Sequence, residues 1–268
     1  MPFRIAAWNI NSVRLRAGLA QRLIEERAPD VLCLQEIKCR NEDFPHEAFA
    51  AFYPHMEVNG QAGYHGLATL SKAPLRRLPS QSFCGTEDCR HLAVEAQIGD
   101  HAIVLHNMYI PSGGDDPNPE TNAKFRQKLI FLHNVAAWFA EDANRAPLMA
   151  MLGDFNVAPL ENDVWSHKQM LNVVSHTPVE MSALERLRDA GRWIDPFRER
   201  IPPSEKLYSW WSYRARDWRA SNRGRRLDHI WVTGPLARRV TAVEILSEAR
   251  GWPQPSDHVP VILDLDIA

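Results

Sequence analysis

Short apolar runs recur along the whole chain, and most of them stop at a polar residue. Arg4 to Trp8 predicts a strand, since the run is short and carries no helical caps. Residues 14–27 follow helical spacing, with Leu15, Leu19, Leu23 and Ile24 on one face and arginines opposite, until Ala28-Pro29-Asp30 stops the helix. Val31-Leu32-Cys33-Leu34 reads as a buried strand ending in Gln35-Glu36. Gly66 to Leu70, Ala93 to Ile98 and Ala102 to Tyr109 read as further strands, the last closed by Ile110-Pro111-Ser112-Gly113-Gly114. The clearest helix covers 120–140, where Phe125, Leu129, Leu132, Ala136 and Phe139 recur at spacings of 4, 3, 4 and 3. Leu148 to Leu152 is a strand ending in Gly153-Asp154-Phe155-Asn156, and 180–190 is an amphipathic helix ended by Gly191. Leu227 to Val232, Val240 to Leu246 and Val259 to Leu265 complete the strands.

Strands and helices alternate, yet many strands follow one another directly. That mixture predicts an α/β fold with layered, mixed sheets rather than one doubly wound parallel sheet. No repeat, low-complexity tract or linker divides the chain, so one domain over residues 1–268 is expected. No apolar run approaches the roughly 18 residues of a membrane helix. Met1-Pro2-Phe3-Arg4 leads straight into a strand without a signal-peptide pattern. The expectation is a cytoplasmic protein, and its four cysteines suit a reducing compartment. Cys33 reads as core, and Cys84 and Cys89 lack a second metal-spaced pair, so zinc is not expected.

The polar residues at the strand ends carry the chemistry. Trp8 is followed by Asn9 and Asn11, Leu34 by Gln35-Glu36, Leu152 by Asp154 and Asn156, and Leu227 by Asp228-His229. Ser256-Asp257-His258 precedes the last strand. One such residue is ordinarily a turn or a cap. Five sites, each at a strand end, point to a shared cleft. On the residues alone, a set of unconnected turn residues is the alternative. No serine or cysteine nucleophile motif is present, nor a glycine-rich phosphate loop with its lysine, so water is the natural nucleophile. Oxygen ligands without thiolates suit Mg²⁺ or Mn²⁺, and such an ion suits charge developing on a phosphoryl group.

With a formal net charge of −2, the protein is not basic all over, so any nucleic-acid contact must use local charge. Residues 214–226 supply it, with six arginines against one acid, beside Trp210, Trp211, Tyr213 and Trp218. Lys124 and the pair Arg90-His91 read as solvated surface.

In order along the chain, Trp8-Asn9-Ile10-Asn11, Leu34-Gln35-Glu36, Gly153-Asp154-Phe155-Asn156, Leu227-Asp228-His229 and Ser256-Asp257-His258-Val259-Pro260 resemble the endonuclease/exonuclease/phosphatase superfamily. Within it they are similar to the exonuclease III group of bacterial apurinic/apyrimidinic endonucleases. Tyr109 before Pro111, the segment Ser209 to Arg214 and the segment Asn222 to Asp228 extend the resemblance over essentially the whole chain. It implies a DNase I-like four-layer α/β sandwich, with two mixed β-sheets packed face to face, helices outside and the site at one edge. It implies Glu36 as principal metal ligand with Asn9 and Asn11 nearby, Asn11 acting through water. Asp154 would activate water, Asn156 would position phosphate or water, and Tyr109 would sit at the scissile phosphate. His258 would touch a phosphate oxygen, Asp228 would orient it, and Asp257 would assist at the metal. The implied metal set is Asn9, Glu36, Asp154, Asn156, Asp257 and His258.

The implied activity is a Mg²⁺-dependent DNA repair nuclease, with Mn²⁺ as the alternative ion. It would cut duplex DNA 5′ to abasic sites, trim 3′ ends and clear 3′ blocking groups. The competing expectation is a phosphoesterase of the same fold acting on 3′-phosphate ends or a non-DNA phosphate. A monomer with no membrane partner is expected. DNA contacts are expected at Asn11, Trp210, Arg214, Arg216, Trp218, Arg223, Arg225 and Leu227. The resemblance puts Trp210 and Leu227 in a small pocket for an extruded, base-less sugar. Two departures stand out: Arg225, where relatives often carry an apolar residue, and Trp211, where they carry a smaller ring. Arg225 would either contact phosphate or loosen the pocket.

Overall fold

The computed structural model describes residues 2–85, 88–215 and 217–267. Two mixed sheets form its centre. The first is six-stranded, in the order β12 (Val240–Ile245), β13 (Val261–Leu265), β1 (Phe3–Asn9), β2 (Val31–Gln35), β4 (Leu67–Ser71), β3 (His55–Asn59). The second is five-stranded: β11 (Asp228–Val232), β8 (Met149–Asp154), β7 (His101–Tyr109), β6 (His91–Ile98), β5 (Leu75–Arg77). A two-stranded ribbon of β9 (Trp210–Trp211) and β10 (Gly224–Arg225) stands apart. The pairs β1–β2 and β7–β8 are parallel; the other pairs in the two large sheets are antiparallel.

The period-two alternation of each strand separates the layers. Ile5, Ala7, Val31, Cys33, Val261 and Leu263 of the first sheet pack against Leu92, Val94, Leu105, Ala150, Leu152 and Ile230 of the second. The alternate residues Ala6, Trp8, Leu32 and Leu34 face outward, onto Ala20, Leu23 and Ile24 of the helix Val13–Arg27. Met108, Met149 and Met151 of the second sheet face Phe131, Leu132 and Phe139 of the helix Ala123–Ala140. Leu184 and Leu187 of the helix Pro178–Gly191 join that layer. The four layers are those expected from the resemblance.

Several local expectations need correction. Leu15 is 74% exposed rather than on the packed face, because the buried face runs through Val13, Ala20, Leu23 and Ile24, and Leu15 lies nearly opposite Val13 at 100° per residue. Gly191 is the last helical residue, and the left-handed cap is Arg192 at φ 52°. Gly191 is small because a Cβ would lie 2.0 Å from Trp193 Nε1. β3 and β5 were not expected; they are edge strands whose polar, half-exposed sequences carry little apolar signal.

Arg90 and His91 are buried rather than solvated. The Arg90 guanidinium lies 4.7 Å over the Tyr109 ring, and His91 stacks on His106 at an interplanar angle of 13°. Gln81 N donates to His91 Nδ1, so His91 carries its proton on Nε2 and donates to His106 Nδ1 at 2.9 Å. Burial pushes His91 down to about 3 and His106 well below its usual value. Unfolded histidine titrates near about 6.5. The stability of the neutral pair is therefore present above that pH and lost as pH falls toward the folded values. The expected result is a melting midpoint that drops steadily on acidification below about pH 6.5, with a shallower drop in His106→Leu. Calorimetry across pH checks it; identical slopes for both proteins would contradict it.

Candidate active site

Strand direction gathers the polar residues at one edge. β1 and β2 run parallel and end at Asn9 and Gln35, which pair; Glu36 follows. β7 and β8 end at Tyr109 and Asp154, which pair, and antiparallel β11 begins at Asp228 opposite Asp154. His258 enters just ahead of β13 and bridges to Trp210. Asn9, Tyr109, Asp154, Asn156, Asp228 and His258 are all buried, and Glu36 and Asp257 half-buried. Gly153 allows the close approach of the neighbouring strand β7: its φ is 125°, and a Cβ would lie 2.2 Å from Met108 O, its partner in the sheet.

Asn9 is the hub. Its Nδ2 donates to Glu36 Oε1 and to Asp154 Oδ2, both at 2.9 Å, and lies 3.5 Å from His258 Nε2. Its Oδ1 accepts from Asn11 N. One amide thus spaces two carboxylates and an imidazole. Asn156, left-handed at φ 53°, donates from N to Asp154 Oδ1 and from Nδ2 to Asp154 Oδ2 and Ile110 O. With Asn9 on one side and Asn156 on the other, both oxygens of the Asp154 carboxylate are engaged and the group is held in one orientation.

His258 Nδ1 lies 2.9 Å from Asp228 Oδ2, and Nε2 lies 3.7 Å from Asp154 Oδ2. Burial lowers the affinity of His258 for its proton, but Asp228 and Asp154 outweigh it and raise the pKa to about 10. Burial raises Asp154 to about 7, with Asp228 and Glu36 adding to the shift and His258 opposing it. An imidazolium and a carboxyl group poised near neutrality thus face one another. Ser209, which the sequence places in a matching segment but gives no role, fixes the far side of the pair. Its Oγ donates to Asp228 Oδ2 at 2.6 Å and accepts from Leu227 N and Asp228 N.

Burial, together with the neighbouring Glu36 and Asp154, raises the Tyr109 phenol well above its usual value, so it stays protonated and can donate. Lys38 is a further residue that no motif marks. Its ammonium sits on Glu36 Oε2 at 2.9 Å and on Asn11 Oδ1 at 2.6 Å. Asn11 Nδ2 donates in turn to Asp257 Oδ1, and Trp210 Nε1 donates to Asp257 Oδ2. These oxygens attract a cation, and all are hard donors, as a Mg²⁺-type ion requires. Among the described residues, Asp154, Asp228 and His258 also bring ligand atoms within 4.8 Å of one another.

The arginine segment divides. Arg214, Arg219 and Arg223 are exposed, with Arg223 4.6 Å over Trp165 and Arg219 5.3 Å over Trp218. Arg226 is buried and pairs with Asp195 at 2.7 Å. Arg225 is half-buried, 4.9 Å over the Trp210 ring, with Nη1 donating to Val174 O and Ser175 Oγ. Leu227 is buried in a small cluster with Ala158, Val164 and Met170, against which Trp210 packs. Trp211 belongs to the core, edge-on to Tyr208 and Trp218. Arg216 lies outside the described residues. No helix of the described residues is long and apolar enough to cross a membrane.

The pattern of the endonuclease/exonuclease/phosphatase family matches residues 6–258. Exodeoxyribonuclease III of Haemophilus influenzae is 30% identical over 266 residues, covering 96% of this chain and 98% of that protein. An AP endonuclease from Archaeoglobus fulgidus superposes with a TM-score of 0.87 at 28% identity, covering 99% of this chain and 100% of the other. A 3′ phosphatase from Neisseria, NExo, solved with a product DNA hairpin, gives 0.86 at 26% identity, covering 98% and 99%.

Proposed function

The chain belongs to the endonuclease/exonuclease/phosphatase family, and on that premise we propose that it is a Mg²⁺-dependent DNA repair nuclease. It hydrolyses duplex DNA 5′ to abasic sites and processes 3′ ends. It acts as a cytoplasmic monomer with one catalytic domain over residues 1–268. The observation that carries this reading is the Asp228–His258–Asp154 array beside Glu36, with the hydrogen bonds of Asn9 setting the spacing.

Glu36 would hold the ion, with Asp257 and Asn11 alongside and Asn9 fixing the carboxylate; the oxygens that Lys38 bridges support that placement. When bound, Mg²⁺ offsets charge on the phosphoryl oxygens. Protonated His258, held by Asp228, donates to a non-bridging oxygen through Nε2, and the neutral Tyr109 phenol donates to another. Asn156 orients the attacking water, and Asp154 takes its proton. The new P–O bond forms in line as the P–O3′ bond breaks, leaving a 3′-hydroxyl and a 5′-phosphate. Exposed Arg214 and Arg223 meet backbone phosphates.

A second reading has one observation in its favour. The Arg225 guanidinium lies against Trp210, beside Leu227, where a base-less sugar would be received. That favours cleaning of 3′-phosphate ends over incision at abasic sites. A panel of labelled substrates tests both: an abasic duplex, an intact duplex, a recessed 3′-phosphate end and an inositol phosphate, each with Mg²⁺ and with EDTA. Mg²⁺-dependent nicking at the abasic position is the expected result. Release of phosphate from the 3′ end alone would favour the second reading. Turnover of inositol phosphate alone would overturn both.

A further inference from the structure

The helix Ala123–Ala140 turns an apolar face to the second sheet, yet Lys128 stands in that face with 0% exposure. A buried ammonium persists only where its donors are satisfied. In this helix all three are. Nζ donates to Asn156 O at 2.7 Å, to Glu180 Oε1 at 2.5 Å and to Ser112 O at 3.3 Å. Glu180 is also fully buried. Its carboxylate accepts from Ser175 N, Thr177 N and Thr177 Oγ1, so it caps the helix Pro178–Gly191 and fixes the 174–177 turn at once. That turn supplies the two acceptors of Arg225.

Resting on the nuclease reading, we propose that Lys128 is a positioning residue for the hydrolysis. It clamps the main-chain carbonyl of Asn156, and so aims the Asn156 and Asp154 side chains. Asn156 is left-handed at φ 53°, a conformation asparagine adopts readily, and its polar groups are tied on several sides. Its N and Nδ2 are committed to Asp154 and Ile110, and its carbonyl to Lys128. Removing the ammonium releases the hydrogen bond that reaches Asn156 from the helix Ala123–Ala140, outside this edge of the sheet. The carboxylate that Asn156 orients then loosens with it. A misplacement of about 1 Å in such a group costs about a hundredfold in rate. Lys128 also closes off the neighbouring loop. Gly113 is left-handed, and a Cβ there would lie 3.0 Å from Lys128 Cδ.

The experiment is a double-mutant cycle on the full chain, with cleavage of an abasic duplex as the readout, run well below the melting midpoint of every variant. Lys128→Met is expected to lower kcat by about tenfold to a hundredfold with KM within about twofold. Lys128→Arg is expected to recover part of the loss. Combined with Asn156→Ala, Lys128→Met is expected to add almost nothing, because both act through the same side chain. Losses that multiply, or a Lys128→Met protein with a lower melting midpoint but unchanged kcat, would overturn the proposal. If Lys128→Met does not fold, Lys128→Gln, which keeps a donor for Asn156 O, is expected to retain kcat within about twofold, and a loss of about tenfold in it would overturn the proposal. Wild-type protein that cuts no DNA would instead sink the functional reading itself.

Discussion

Asp154→Ala is expected to lower the single-turnover rate of DNA cleavage by about a thousandfold, the loss typical of a missing general base, while duplex binding holds or tightens. Asp154 is the residue on which the constellation converges. It accepts from the Asn9 side chain and twice from Asn156, once from the main-chain N and once from the side chain, and it faces His258. Burial raises it to about 7, so near neutrality it takes a proton more readily than an ordinary carboxylate. Binding should survive because the contacts proposed for DNA lie elsewhere, on Arg214, Arg223 and His258. Loss of one carboxylate also relieves repulsion with the phosphate. Rapid-quench kinetics beside a gel-shift titration separate the two quantities. A variant that cuts at the wild-type rate would remove Asp154 from the role of base.

The second large effect belongs to Asp228→Asn. Burial opposes the charge on His258, but Asp228 and Asp154 together outweigh it and keep the ring protonated. With Asp228 neutral, the stronger partner is gone, and the histidine pKa falls from about 10 toward its usual range. The imidazolium is the active form, so activity is lost above the histidine pKa, while protonation of Asp154 sets the acidic limb at about 7. The alkaline limb should therefore move to lower pH. At about pH 8 the variant should be slower than wild type by about a hundredfold, and at about pH 6 the ratio of the two rates should narrow, since both histidines are then protonated. The pH profile of kcat/KM measures the shift directly. Superimposable alkaline limbs would show that Asp228 does not act through the charge on His258.

The edge that carries the site was legible because each of its residues follows or precedes an apolar strand. Asn9, Glu36, Tyr109, Asp154, Asp228 and His258 all converge there. The layers were legible for the same reason, since runs such as Val31–Gln35 are buried on both faces. What stayed hidden acts through contacts distant in sequence. Ser209 reaches Asp228 across 19 residues, and Lys128 reaches Asn156 across 28. Lys128 did leave a trace: a lysine between Phe125 and Leu132 on an otherwise apolar face. The arginine segment is only partly legible from composition. Its charge count is real, but Arg226 is spent on a buried acid and Arg225 on Trp210 and a turn, which no local count can show. His91 was hidden for the same reason, because its partner His106 lies on the next strand.

Cleavage of an abasic duplex in ¹⁸O-labelled water tests the central claim most directly. Hydrolysis by water at phosphorus predicts one ¹⁸O in the 5′-phosphate of the downstream fragment, an unlabelled 3′-hydroxyl on the upstream fragment, and no product in EDTA. A cut that leaves an unsaturated sugar at the 3′ end, carries no label and proceeds in EDTA would be β-elimination. That result would contradict a hydrolysis run by Glu36, Asp154 and His258.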